Sequence, residues 1–251
     1  MNIVVFDTET TSVEKPFCYN IGYVIYDTDQ KQILAKKDFV VEQVWHNPML
    51  FTTAYYSNKR EIYVSRMRTR QTVMDKFGYI CQTMLRDFKA FNVEIAYAYN
   101  SPFDDKVFAY NCEWFKCNNP FDNIEIKDIR AFVHNSIAKH SHFLEWCEHN
   151  EKFTESGNYS STAETIYQYV VRNLEFVEEH TALADSLIEL EILNYCIDNY
   201  QLDYMGEYKT RKSIVRNVAK QLTIVVDNEE FVYTYKTKRC YNDGQKIILK
   251  N

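Results

Sequence analysis

Five side chains in three short stretches have the types and spacing for metal-assisted hydrolysis. Asp7 and Glu9 lie two apart near the end of the opening run NIVVFDTET, so on a strand both carboxylates leave the same face. Asp104 ends NSPFD, residues 100–104, where an apolar run gives way to a helix-like segment. His180 and Asp185 bracket HTALAD. An acid that closes a buried apolar strand must reach water or a cation, because an unpaired buried carboxylate costs several kcal/mol. Four such groups brought together would repel one another until cations neutralised them. Oxygen donors in that number suit Mg²⁺ or Mn²⁺ better than Zn²⁺.

His180 and Asp185 pose a geometric question. On one continuous helix a five-residue step turns about 500°, which leaves two side chains about 140° apart. Thr181 as the helix N-cap would place His180 just outside the helix, free to swing toward Asp185.

The elements that must position these residues follow from periodicity. NIVVFDTET, NIGYVIYDTD and QILAKKDFVVEQV read as three consecutive strands with short links, hence an antiparallel meander. Val73, Phe77, Ile80, Met84 and Phe88 recur at steps of three and four, which predicts an amphipathic helix through 72–91. VEIAYAYN then reads as a strand, PFDDKVFAYNCEWFKC as a helix opened by Pro102, and IEIKDI as a further strand. That is the order of a parallel βαβ unit covered by helices. Residues 130–200 read as helical, broken at TESGNYSST, where Ser161 and Glu164 form a candidate capping box. The tail, 205–251, alternates like strands around DNEE and NDG turns. It reads as a small C-terminal β-meander appended to an α/β domain of residues 1–204.

Composition narrows the class. Twenty Tyr and 16 Phe against five Gly and four Pro describe an ordered globular chain. No stretch approaches the ~18 consecutive apolar residues of a membrane span, and the chain opens directly on a strand. A cytoplasmic protein with no membrane partner is expected. Seven cysteines without a CxxC pair are expected to be reduced and mostly buried. HSHFLEWCEHN gathers histidines around Cys147 in no regular zinc spacing and reads as a solvated helix or loop. The net charge of −6 is uneven: residues 205–251 hold ten Lys+Arg against five Asp+Glu, leaving the first 204 residues at −11. Lys59–Arg70 forms a second basic island, with five basic residues and one acid. Two basic islands on an acidic body suit a protein that holds a polyanion while keeping negative charge at a metal site; two solvated faces are the plainer alternative.

In order along the chain, FDTET, NxxFD and His-x4-Asp resemble the motifs of the DEDDh 3′–5′ exonucleases. That family includes the proofreading subunit of the bacterial replicative polymerase, ribonuclease T and oligoribonuclease. The resemblance covers about residues 1–200, and Thr181 stands where the sister DEDDy branch has its tyrosine. It implies a ribonuclease H-like α/β fold: a mixed sheet of three antiparallel strands followed by parallel strands, flanked by helices. It also implies two ions, Mg²⁺ or Mn²⁺, bridged by Asp7, with Glu9 and Asp185 completing one and Asp104 reached partly through water. His180 would then be the general base. Thr8 and Thr10 flank the acids where the family's backbone holds the 3′-terminal nucleotide, and Asn100 and Phe103 match its second motif, with a core position the equal alternative for Phe103; Val13 or Phe17 is a further candidate, as a wedge between bases. One departure is ETTS where many members have ETTG, which puts Ser12 in the turn beside that nucleotide.

The expected activity is release of nucleoside 5′-monophosphates from single-stranded DNA 3′ ends in replication or repair, with any polymerase partner acting in trans. Abundant Asn, Ile, Lys and Tyr suit a phage or low-GC source. The alternatives are an exoribonuclease of the same chemistry and a catalytically silent nucleic-acid-binding or polymerase-tethering module. Tyr233, Tyr235, Lys236, Lys238, Arg239 and Tyr241 offer the tail a stacking and phosphate-tracking surface. The oligomeric state is left open.

Overall fold

A computed structural model of the protein describes residues 1–54 and 56–216, and the backbone alone of three strands between 218 and 248. The opening apolar run forms β1 (Asn2–Thr10), followed by β2 (Cys18–Asp27) and β3 (Gln32–Val41) in the expected antiparallel meander. Three shorter strands, β4 (Val73–Asp75), β5 (Val93–Ala98) and β6 (Glu125–Asp128), complete a mixed sheet of order β4-β3-β2-β1-β5-β6. β4, β5 and β6 all join in parallel. β1 lies between β2 and β5 with both faces covered, which is why its first half is continuously apolar rather than alternating.

Helices cover both faces. On one side, α1 (Glu42–Trp45), α2 (Pro48–Phe51), α3 (Arg60–Arg68), α4 (Phe77–Ala90) and α5 (Ser101–Phe115) pack on Val4 and Phe6 of β1. On the other, α6 (Ile129–Asn135), α7 (Ser141–His149), α8 (Ala163–Val171) and α9 (Ala182–Tyr200) pack on Ile3 and Val5. This is the ribonuclease H-like arrangement expected from the sequence. The alternation of β1 carries past its apolar half, so Asp7 and Glu9 continue the face toward α9, and Thr8 the face toward α5.

Several local readings change. The periodic stretch 72–91 is not one helix: Val73 is exposed in edge strand β4, paired with Phe39, and the helix starts at Phe77. A short parallel pairing there outweighs helix propensity, while Phe77, Ile80, Met84 and Phe88 are buried as expected. β3 stops at Val41 because Glu42–Trp45 turns into helix and buries Val44 and Trp45. The cap of α8 is Thr162, accepting from Thr165 N at 3.2 Å, not Ser161. Ser161 Oγ is engaged with His134 Nε2 at 3.1 Å, and Glu164 accepts from Glu178 N at 3.0 Å.

After α9 the chain stays on the α/β body through residue 216, where Arg216 pairs with Glu148 of α7. Tyr97 Oη donates to Tyr204 O, Thr210 Oγ1 to Asp128, and Tyr159 N to Ile214 O. Beyond it, β7 (Val218–Val226) pairs antiparallel with β8 (Glu229–Thr237) and parallel with β9 (Gln245–Ile248). The third strand therefore crosses back beside the first, so the tail is not a meander. Its side chains, including the aromatic and basic set from Tyr233 to Tyr241, lie outside the described residues.

The first turn of α9 is seated on β2. A Cβ built on Gly22 would lie 2.1 Å from Leu183 N and 2.2 Å from the Ala182 carbonyl carbon, so only glycine allows this approach. Asn20 Oδ1 accepts from Ala182 N at 2.8 Å and from Tyr63 Oη at 3.0 Å, while its amide donates to Asp38 Oδ1 at 2.6 Å. Ser186 Oγ donates to Gly22 O at 3.1 Å. Gly22→Ala must lift the helix off the strand. It is expected to lower folding stability by about 3 kcal/mol or more in urea melts, at the upper end of overpacking effects. A loss under about 1 kcal/mol would mean that this contact does not set the position of α9.

Candidate active site

Asp7, Glu9, Asp104, Asp185 and His180 line one cleft of about 200 Å³. β1 brings Asp7 and Glu9, the first turn of α5 brings Asp104, and α9 brings Asp185. His180 has φ 52°, a left-handed conformation uncommon for a residue with a Cβ. That turn breaks the chain out of α9, and one ring nitrogen lies within 4.8 Å of carboxylate oxygens of Glu9 and Asp185. The convergence that one helix would forbid is achieved by a single residue outside it.

The break is held differently from a simple cap. Thr181 occupies the N-cap position, but its hydroxyl accepts from Arg66 Nη1 at 2.9 Å, and Asn20 satisfies the helix N–H at Ala182. Arg66 also pairs with Glu179 at 2.6 Å, and Lys59 Nζ donates to Glu179 O. The basic island at 59–70 thus braces the His180 loop in part, rather than forming only a solvated or polyanion-binding face. Tyr56 stacks on the imidazole, with ring centroids 4.2 Å apart and planes 13° apart. Desolvation, then the Lys59 charge, lowers the pKa of His180, so the ring is neutral and able to take a proton near pH 7.

The acids are crowded and poorly paired. Burial is the largest cause of raised pKa at every one: Asp104 and Glu178 to about 7, Asp185 to about 9. Asp7, Glu9 and Glu189 are pushed well above the carboxylate range by burial, with the negative charges of neighbouring acids adding to it. Asp7 keeps surface open to the cleft, yet protein packed around it still desolvates its carboxylate. Asp185 Oδ1 is buried without a hydrogen-bond partner. A buried acceptor left open among like charges, within an all-oxygen carboxylate set, fits a hard divalent ion. Among the described residues one other group of metal-capable side chains converges, Cys81, Cys112 and Cys117 between α4 and α5, with soft sulfur donors. The described cysteines are free, and all but Cys117 are buried. His140, His142, His149 and Cys147 form no such group.

Two site residues have no place in the three motifs. Glu189 lies one turn after Asp185, lines the same cleft and accepts from Tyr99 N at 3.1 Å. Its spacing of four on α9 puts it on the Asp185 face, a signal present in the sequence. Glu178 sits 3.7 Å from His180 Nδ1 and had no periodic signal, because it belongs to a loop. Of the substrate-contact candidates, Thr8 and Phe103 line the cleft, whereas Thr10 and Asn100 do not. Thr8 Oγ1 donates to Asp104 Oδ1 at 2.6 Å and so orients that carboxylate. Asn100, at φ 64°, is exposed and lines a neighbouring cavity. Phe17 is core, edge-on to Tyr110 and Trp114, which leaves exposed Val13 as the wedge candidate. Ser12 closes its own turn, donating to Lys15 O at 3.0 Å and accepting from Lys15 N at 3.1 Å.

By sequence, the chain matches no family profile and no curated protein. By structure it is similar to the nuclease domain of 3′hExo, a DEDDh family member bound to rAMP. The two share 12% identity and a TM-score of 0.50 over 83% of this chain and 97% of that one. It is also similar to E. coli exonuclease I in complex with a dA16 oligonucleotide, at 13% identity and a TM-score of 0.48. That match covers 79% of this chain and 41% of exonuclease I, so this chain spans less than half of that protein's length. The likeness to 3′hExo shows the fold.

The raised carboxylate pKa values have a sign that can be measured. A folded state that holds carboxyl protons more tightly than the unfolded chain gains stability that is complete below the unfolded range, about pH 4. That gain is lost as pH rises through the folded values of about 7 at Asp104 and Glu178 and about 9 at Asp185. A bound cation replaces these protons. The melting temperature in chelator is therefore expected to fall from about pH 5.5 to about pH 9, and Mn²⁺ is expected to raise it more at about pH 8.5 than at about pH 6. An equal Mn²⁺ shift at both values, or none, would show that these acids hold no cation.

Proposed function

We propose that this protein is a 3′–5′ exonuclease of the DEDDh type, dependent on Mg²⁺ or Mn²⁺, that releases nucleoside 5′-monophosphates from single-stranded DNA ends. The observation that carries this reading is the convergence of His180 with Glu9 and Asp185, one oxygen of Asp185 being buried without a partner. The fold shared with 3′hExo supports it. Asp7, Glu9, Asp104 and Asp185 would hold two ions, and Glu189 and Glu178 add negative charge behind them. When bound, such ions polarise a phosphate and lower the pKa of the attacking water.

The protein's own groups do the rest. His180 takes the proton that water loses as its oxygen attacks phosphorus, while the bond to the 3′ oxygen of the remaining strand breaks. Tyr56 stacking holds the imidazole plane, and the Arg66 and Lys59 contacts hold its loop. Glu178, 3.7 Å from Nδ1, stabilises the imidazolium that results. Thr8 keeps Asp104 aimed, and the β1 backbone at Thr8 with Phe103 receives the terminal nucleotide. The role lies in replication or repair in the cytoplasm, where six free described cysteines suit a reducing compartment, with any polymerase acting in trans. Within residues 205–251, the strands beyond the segment that packs on the body would serve as an accessory extension to the exonuclease domain. RNA is the second candidate polymer, because 3′hExo, the neighbour that shows the fold, is bound to rAMP.

A time course on 5′-labelled single-stranded DNA and RNA of one sequence tests both readings. With Mg²⁺ or Mn²⁺ a descending ladder is expected, stopped by chelator and abolished in Asp7→Ala. In His180→Ala kcat is expected to fall by about 10²–10⁴-fold, the usual range for losing a general base. The faster polymer identifies the substrate class. Tight binding with no ladder under any metal would favour a catalytically silent binding module.

A further inference from the structure

A second cavity, of about 400 Å³, opens beside the acidic cleft and shares Tyr99 and Ala163 with it. Its walls come from the turn at 154–162 and from Lys212–Ile214, after the last helix of the body. Its charge is opposite to that of the cleft: Arg130 and Lys212 line it, and among the described residues no Asp or Glu does. Among the described residues neither cation has a side-chain hydrogen bond or ion pair, and Arg130 Nε is buried without any partner. Asp128, two residues before Arg130, has both carboxylate oxygens engaged by neutral donors. Asp128 Oδ1 accepts from the backbone N–H groups of Asn100 and Arg130, both at 2.9 Å, and its Oδ2 accepts from Thr210 Oγ1 at 2.6 Å.

A half-buried guanidinium with an unpartnered Nε and, among the described residues, no ion pair is unfavourable, and its planar fork matches a phosphate's two oxygens. The cleft next door is crowded with carboxylates that would repel the backbone of a nucleic acid. We infer that this cavity holds a phosphate of the nucleic-acid strand outside the nucleotide being released, with Arg130 as the principal contact and Lys212 as the second. The inference rests on the reading of the acidic cleft as the hydrolytic centre. It separates the grip on the strand, made by the second cavity, from bond cleavage in the first.

Two substrates separate the functions: the p-nitrophenyl ester of thymidine 5′-monophosphate, which presents only the scissile phosphate, and a single-stranded octamer of the polymer the protein cleaves. Arg130→Ala is expected to leave ester hydrolysis within about twofold and to raise KM for the octamer about tenfold or more with little change in kcat. That is the effect of losing a charge-assisted contact. Lys212→Ala, at an exposed site, is expected to raise KM about threefold, and each variant to flatten the salt dependence by about one charge. Arg130→Lys should recover part of the loss. Anisotropy of a labelled octamer in chelator reads the same contact without cleavage. Should the wild type cleave nothing while Arg130→Ala still weakens binding about tenfold, the hydrolytic reading fails and the strand contact stands. A parallel fall of ester and octamer hydrolysis, an unmoved octamer KM and affinity, or displacement of the octamer by micromolar inorganic phosphate would each overturn the inference.

Discussion

The first turn of α9 rests on the backbone of β2 at Gly22, at a separation that one added Cβ would fill to 2.1 Å. Three consequences follow from that approach. Asp185 and Glu189 are carried to the end of β1, where Asp7 and Glu9 wait on the facing side. The chain before the helix must turn sharply, which leaves His180 in a left-handed conformation at the mouth of the cleft. The polar groups trapped under the turn must also be satisfied, and a buried network does this: Asn20 meets Ala182 N, Tyr63 and Asp38, while Asp38 also accepts from Thr72 and lies 4.0 Å from Arg66. Such a network rigidifies only when every member is paired.

The cleft itself runs against stability. Six carboxyl groups are gathered with little compensation: Thr8 on Asp104, Tyr19 on Glu9 at 3.4 Å, and Tyr99 N on Glu189. Lys59 acts on Glu9 and Asp185 through its charge without pairing directly with either, being held by Glu179 O. This arrangement persists because the sheet and α9 are over-determined by packing on both faces, so the strain is confined to side chains that a cation would relieve. Positive charge is placed around the cleft rather than in it. Part of it braces the His180 loop, and part lines the neighbouring cavity.

Much of this was legible in one dimension because it depends on local periodicity. A strand ending in Asp-x-Glu, a strand-to-helix junction with Asp104, and a histidine ahead of a helix acid are all short-range patterns, and so is the meander of β1, β2 and β3. Glu189 was legible in principle by its helical spacing from Asp185. Where the reading slipped, a tertiary partner overrode a local preference. Val73 left its helix to pair with Phe39, Ser161 gave its hydroxyl to His134 rather than to a cap, and the last tail strand crossed over to lie parallel to the first.

The sequence by itself determined the residue types, the order of the elements and the expectation that acids closing an apolar strand must reach water or a cation. Only the tertiary structure decided which acids share a cleft, that Glu178 joins them from a loop, and that Arg66 and Lys59 support His180. It also decided that Thr8 faces Asp104 and that Arg130 Nε is buried without a partner among the described residues. Those outcomes depend on contacts between residues far apart in the chain, such as Thr8 with Asp104, 96 positions apart, and Asn20 with Ala182, 162 apart, where loop and strand geometry, not spacing, sets the distance.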